Sequence, residues 1–239
     1  MSVITKTEGI IIKREYFRDT SKIVTIFSKD YGKLELLAKG AFDPKRNLGG
    51  SLEPFTFSEV IFYYREGREY YLLANATLLY DFRILREEPE RFYFASLLAE
   101  FILNCLPKEV PQTSLYQLFL STFYRLTKEG KENLIYSFLI KAATLLGYKP
   151  NFITCVKCHK RPDRFFFAVA RGGFLCEACR AGEVINFEPS EVEGLKNLLF
   201  LPQTKIGKIE LGEKEKNVVR QFLAHHLNFH LFPNPFASV

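Results

Sequence analysis

No apolar run in this chain of 239 residues approaches the ~20 residues that a membrane-spanning helix needs, so no membrane partner is expected. There is no Gly-x-x-x-x-Gly-Lys-Ser/Thr loop and no Gly-x-Gly-x-x-Gly turn, which removes the backbone cradles that hold nucleotide phosphates. Histidine is scarce. Of four, three (His225, His226 and His230) crowd into one stretch near the end, and no Ser/His/Asp set can be picked out. No His-x-Glu accompanies the cysteines, and Thr154 and Leu175, not proline, precede the Cys-x-x-Cys pairs, so the zinc deaminase pattern is missing as well. An enzyme is therefore not expected. Met1 to Glu8 have the features of neither a signal nor a transit peptide, and the expected compartment is the cytoplasm.

What is present starts with cysteine. Four of the five cysteines form Cys155-Val-Lys-Cys158 and Cys176-Glu-Ala-Cys179, separated by seventeen residues. At this spacing two short knuckles fold back on each other and place four thiolates at the corners of a tetrahedron. One structural Zn2+ is expected there, with Cys155, Cys158, Cys176 and Cys179 as ligands and no open position for catalysis. Gly172 and Gly173 suit a tight turn before the second pair, and Phe165, Phe166, Phe167, Phe174 and Leu175 supply apolar cover. Two disulfides are the weaker alternative, because no secretory segment is present. His159 is the alternative fourth ligand. His226 and His230, one turn apart, read as part of a packing stripe more than as a metal pair, and Cys105 reads as a small buried hydrophobe.

Residues 1–80 read as β structure. A first strand runs from Gly9 to Tyr16 and a second from Ser21 to Ser28; Asp30-Tyr31-Gly32 makes a hairpin turn and Lys33 to Ala38 returns. After a loop from Lys39 to Gly50, Glu53 to Arg65 and Glu69 to Tyr80 form a second hairpin around Glu66-Gly67. Five short strands suggest a small closed barrel, and strand count leaves OB-fold and SH3-like barrels both open. After Leu85 the apolar period becomes helical. Pro89 starts one helix, Thr113 or Ser114 a second and Asn133 a third; after the cysteines, Glu188-Pro189 and Glu213 open two more. The expected architecture is α+β and multidomain: a barrel at 1–80, then an α-helical domain at 81–239 into which a zinc module at 151–183 is inserted.

The formal net charge is +6, and it is unevenly spread. Residues 141–182 hold eight Lys/Arg against two Asp/Glu, and residues 1–80 hold twelve against ten. Excess cations on otherwise balanced domains suggest a polyanion partner. In the barrel the candidates are Lys13, Arg14, Arg18 and Lys22 in the first hairpin and Lys39, Lys45 and Arg46 in the loop, with Phe42 among them. If the barrel brings them to one face, phosphates would pair with the cations while bases stack on the aromatics, as single strands require. The competing reading is a protein-interaction adaptor with an incidental basic excess.

Here the residues resemble a family. Gly9-Ile-Ile-Ile-Lys-Arg14, Arg18-Asp-Thr-Ser-Lys-Ile-Val-Thr-Ile-Phe27, Ala38-Lys-Gly-Ala41 and Leu48-Gly-Gly-Ser-Leu-Glu-Pro-Phe55 are similar to the RecO recombination mediators of bacteria. Leu145-Leu-Gly-Tyr-Lys-Pro150, the cysteine pairs, Gly172-Gly-Phe-Leu-Cys176 and His225-His226-Leu227 continue the resemblance in order. It implies an N-terminal five-stranded OB-fold, a helical domain with a four-cysteine zinc module, and binding of single- and double-stranded DNA. It implies annealing of complementary strands, including strands coated by single-stranded DNA-binding protein, and action with RecR to load RecA. A nucleoid-associated protein is the corresponding expectation. The family's DNA contacts carry over to Lys39 and, less directly, to Lys45 and Arg46, where Asp43 interrupts the positive charge. The acidic C-terminal tail of single-stranded DNA-binding protein needs a cationic rim over an apolar floor. Arg125 and Lys128 beside Phe119, Phe123 and Tyr124 are the chemical candidates.

Overall fold

The computed structural model describes residues 3–18, 20–43 and 48–231. Packing groups the chain into two compact units, Met1–Lys128 and Glu129–Val239.

The first unit is built on five strands: β1 (Val3–Phe17), β2 (Ser21–Ser28), β3 (Gly32–Ala38), β4 (Thr56–Tyr64) and β5 (Tyr71–Asp81). They close into a barrel in the order β1-β2-β3-β5-β4. The closing pair, β3 with β5, is parallel and short, with Leu36 opposite Tyr71 and Leu37 opposite Leu72. This is the OB-fold, and the SH3-like alternative falls away. Gly32 turns the β2–β3 hairpin at φ +65°, as the Asp-Tyr-Gly sequence predicts.

β1 starts six residues earlier than its apolar run, because Val3 to Glu8 are defined by pairing with β4 and not by burial. Its two halves serve different neighbours: residues 3–10 pair with β4 and residues 9–17 with β2. Gly9 sits at the overlap, where a Cβ would lie 2.4 Å from the Phe27 carbonyl oxygen. A bulge between Ile11 and Lys13 follows. Ile10 and Ile11 precede the bulge and are both buried on opposite faces: Ile11, opposite Ile26, lies in the barrel core, and Ile10 is opposite Phe27, whose outer face the helices cover. Ile11 joins Val24, Ile26, Leu34, Leu36, Val60, Phe62 and Leu73 inside the barrel.

Helices α1 (Ile84–Glu87), α2 (Pro89–Cys105) and α3 (Thr113–Glu129) follow. All of these residues but Glu129 fall within the first unit, with the barrel. Phe27, on the outer face of β2, takes Tyr116 and Phe119 edge-on at ring-centroid distances of 5.7 and 5.4 Å. Phe55 and Phe82 do the same to Phe123 at 5.7 and 5.8 Å. Each such ring, fully buried, contributes about 2–3 kcal/mol of apolar transfer energy. Lys33 donates to the carbonyls of Leu103 and Leu106 at 2.5 and 2.7 Å, satisfying open acceptors at the C-terminus of α2. Burial pulls its pKa down. Cys105 is half-buried, and burial pushes its thiol up to about 11.

The second unit is centred on α4 (Asn133–Leu145), which is apolar around almost its whole circumference and buried accordingly. Against it lie α5 (Pro189–Phe200), α6 (Gln203–Ile206) and α7 (Glu213–Leu227). Ser137 donates to the Leu198 carbonyl at 2.7 Å. Lys141 donates to Ser137 Oγ at 2.7 Å and to the Leu201 carbonyl at 2.6 Å, closing the C-terminus of α5. Between α4 and α5 the chain forms a small sheet of β6 (Phe165–Ala168), β7 (Gly173–Leu175) and β8 (Ile185–Phe187), ordered β7-β6-β8. α7 ends at Leu227, where Asn228 takes the left-handed conformation at φ +50°. His230 therefore lies beyond the helix. The two histidines do not share a helical face: His226 bonds to Val169 and His230 lies 3.3 Å from Asn228 Oδ1. Among the described residues no helix is long and apolar enough to cross a membrane.

Candidate metal centre and nucleic-acid interface

The four paired cysteines converge. Their sulfurs all lie within 4.8 Å of one another, and Cys158 Sγ is 3.7 Å from Cys176 Sγ. A tetrahedral ion with metal–sulfur bonds near 2.3 Å sets its ligands about 3.8 Å apart, so the spacing fits. It does not fit disulfides, whose sulfurs are about 2.05 Å apart, and all four thiols are free. His159 stays outside the cluster and is exposed.

The local sequence explains the convergence. Cys155 N–H donates to the Lys160 carbonyl at 2.9 Å and His159 N–H to the Cys155 carbonyl at 2.8 Å, closing the first knuckle with His159 left-handed at φ +62°. Cys179 N–H donates to the Cys176 carbonyl at 3.0 Å in the second. Gly172 is left-handed at φ +65°, and a Cβ on Gly173 would sit 2.6 Å from Val156 Cγ1. Phe166, Phe167, Phe174 and Leu175 are buried as cover, and the Arg180 guanidinium lies 4.7 Å from the Phe166 ring centre. Burial by itself would raise the Cys155 thiol, but the N–H groups of Cys158, Cys176 and Lys157 hold it down to about 6. Hydrogen bonding to the Cys176 sulfur, then burial and the remaining sulfurs, push Cys179 up to about 12. Four thiolates this close repel one another, and a bound dication removes that penalty. The cluster can hold a metal ion.

On the barrel the candidate cations separate. Beyond the bulge, alternation along β1 puts Lys13 and Glu15 on one face and Arg14 and Tyr16 on the other. Lys22, opposite Tyr16, shares the second face. Most of these cations already have partners. Lys13 pairs with Glu15 at 2.9 Å, Arg14 pairs with Glu53, and Lys22 Nζ is 3.9 Å from Glu53 Oε1. Arg18, left-handed at φ +56°, lies over the Phe17 ring at 5.2 Å. Lys39 is exposed, and Lys45 and Arg46 lie outside the described residues. The arrangement also draws in two residues that charge counting missed. Tyr16 stacks on Phe42, and Glu53 is the shared counter-ion of Arg14 and Lys22. The period-two pattern around Arg14 was the available signal for Tyr16; none marked Glu53.

The tail-binding candidates near α3 need correction. Phe119 and Phe123 are fully buried against Phe27, Phe55 and Phe82, so they form no open floor. Of the three aromatic candidates only Tyr124 is exposed, with the exposed Lys128 ammonium 5.6 Å from its ring centre. An apolar helix face points to a core before it points to a ligand.

A closed OB barrel followed by helices and a four-cysteine cluster able to hold a metal ion defines an α+β class of multidomain OB-fold proteins. Residues 1–82 match the family model described as "Recombination protein O N terminal" and residues 86–239 the one described as "Recombination protein O C terminal". The chain is 31% identical to a DNA repair protein RecO of Pelotomaculum thermopropionicum over 95% of its length and 89% of the relative's. It is 28% identical to one from Caldanaerobacter subterraneus over 97% and 96%, and 27% identical to one from Thermodesulfovibrio yellowstonii over 92% and 91%. The chain belongs to the RecO family of DNA repair proteins.

Proposed function

We propose that this protein is a recombination mediator that binds single- and double-stranded DNA and anneals complementary strands, including strands coated by single-stranded DNA-binding protein. In this reading it acts with RecR to load RecA, in the cytoplasm at the nucleoid. The observation that carries the reading is the ordered match of both halves of the chain to the RecO family, with a closed OB barrel at its start. Annealing needs no catalytic group. A basic surface lowers the repulsion between two phosphate backbones and raises the local strand concentration. We assign phosphate contact to Lys39, Arg14, Lys22, Arg18 and Lys13, and to Lys45 and Arg46 of the same loop as Lys39.

The metal reading is one structural Zn2+. Four thiolates suit zinc and fill its coordination sphere. The domain reading follows the family matches, which part between residues 82 and 86: a barrel at 1–80 and a helical domain at 81–239, although packing groups α1 to α3 with the barrel in one compact unit.

The deciding experiment mixes the protein with two complementary oligonucleotides already coated with single-stranded DNA-binding protein and follows duplex formation by fluorescence transfer. Fast annealing that slows with added salt is the expected result. No annealing, with bare strands also left unbound, overturns the reading.

A further inference from the structure

The face that carries Arg14 and Lys22 ends in an open aromatic ring. Glu53 holds the Arg14 guanidinium and lies 3.9 Å from the Lys22 ammonium. That ammonium lies 4.7 Å from the centre of the Phe42 ring. Phe42 in turn stacks on Tyr16, the two planes inclined by 6° with centroids 5.7 Å apart. The layers run carboxylate, cation, phenyl, phenol. Burial falls away outward: the Lys22 side chain is only 13% exposed and Phe42 is 44% exposed. Tyr16, the outermost, is 74% exposed.

We infer that Tyr16 is a stacking platform for one unpaired nucleobase, and that it gives this surface its preference for single strands over duplex. This rests on the DNA-binding reading above and sharpens it. Ion pairing within the protein already occupies Lys13, Arg14 and Lys22, so these cations offer a strand less than their number suggests. The exposed ring offers what phosphate contacts cannot. Every base has a π-face, so stacking is tolerant of sequence, as a protein that anneals arbitrary complements requires. In a duplex both faces of a base are covered by its neighbours, and the ring gains nothing without unstacking them. The Phe42–Lys22 layers beneath hold Tyr16 in place before the base arrives, which lowers the ordering cost of binding.

The experiment uses the full-length protein and three fluorescein-labelled probes: a thymidine 20-mer, the same strand with central abasic sites, and a 20-base-pair duplex. Tyr16→Ala is expected to weaken binding of the thymidine strand about 5- to 150-fold, the equivalent of the ~1–3 kcal/mol that a stacked base contributes. It should leave the abasic strand, the duplex and the melting temperature unchanged, and Tyr16→Phe should bind like the unaltered protein. Because the chain has no tryptophan, Tyr16→Trp introduces a single indole whose fluorescence should be quenched by the thymidine strand and not by the duplex. An equal loss on all three probes, or no loss on the thymidine strand, overturns the platform while leaving DNA binding in place. If the unaltered protein binds none of the probes, the mediator reading itself fails.

Discussion

The ring of His226 is bonded to the backbone of Val169: Nε2 lies 2.9 Å from the carbonyl oxygen. This ties α7 to the turn after β6, three residues before Gly172, whose Cβ position would lie 3.5 Å from the same nitrogen. The cysteine ribbon is thus part of how the second unit holds its last helix.

Loss of the metal should therefore be felt beyond the cysteines. Cys176→Ser is expected to release the ion and to lower the melting temperature by several degrees, because structural zinc contributes ~10–16 kcal/mol of apparent binding energy to folding in small domains. Hydrogen exchange at residues 219–226 should speed up in the same variant. Elemental analysis and calorimetry check both. Unchanged metal content with unchanged melting would remove the four-cysteine assignment.

Lys39→Glu tests the loop. Lys39 is exposed, so the fold should survive. Affinity for a single strand should fall, and the slope of log affinity against log salt should become shallower by about 0.7, the share of one phosphate contact. Titrations at four or five salt concentrations give the slope. A folded variant with unaltered affinity takes the loop out of the DNA site.

Glu53→Gln should act in the opposite direction. It removes the carboxylate shared by Arg14 and Lys22 and frees two cations to meet phosphate. Tighter DNA binding with a steeper salt dependence is expected. The stability cost should stay within about 1 kcal/mol, since the pair is partly exposed. Weaker binding would mean that Glu53 positions the cations and does not compete for them.

Lys141 predicts a pH dependence. Burial pulls its pKa down to about 8 from 10.5, against two acceptor oxygens that favour the charged form. Between these values the unfolded chain holds a proton that the folded one has lost, so stability from this group rises as pH climbs from about 8 to 10.5. Below about 8 both states are protonated and the group contributes no slope. The difference between the unaltered protein and Lys141→Met, measured by urea unfolding at pH 7 to 10.5, should show that rise. A flat difference would place the folded pKa near its ordinary value.

Phe119→Ala should cost about 3–5 kcal/mol, the usual price of deleting a fully enclosed ring. The ring is buried against Phe27 and Phe123. A cost under 1 kcal/mol would show α3 to be loosely attached to the barrel.

Much of this was legible in the residues. Gly32 and Gly67 marked the hairpins and both carry positive φ. Pro89 marked a helix start, and Glu188 N–H donates to Glu191 Oε2 at 2.8 Å where Glu188-Pro-Ser-Glu191 announced a helix. The cysteine spacing foretold a cluster because ligand geometry is local. What stayed hidden was non-local. The pairing of Leu36 with Tyr71 leaves no mark in the period of either strand. Helical periodicity in α2 and α3 says that one face is covered, and not that a barrel covers it. Lys13 and Arg14 are adjacent in sequence, and the pleat sends them to opposite faces.

The double pairing of β1 has a consequence for synthesis. Its second half can zip to β2 as soon as Ser28 leaves the ribosome, because the partners are close in sequence. Its first half must wait for β4, where Val3 meets Tyr64, and the barrel closes only when β5 reaches β3. Those contacts span long loops, whose closure entropy must be met before any bond rewards it. Until then the nascent chain carries an unpaired strand edge from Val3 to Glu8, and that edge is where a growing chain of this family is most exposed to pairing with the wrong neighbour.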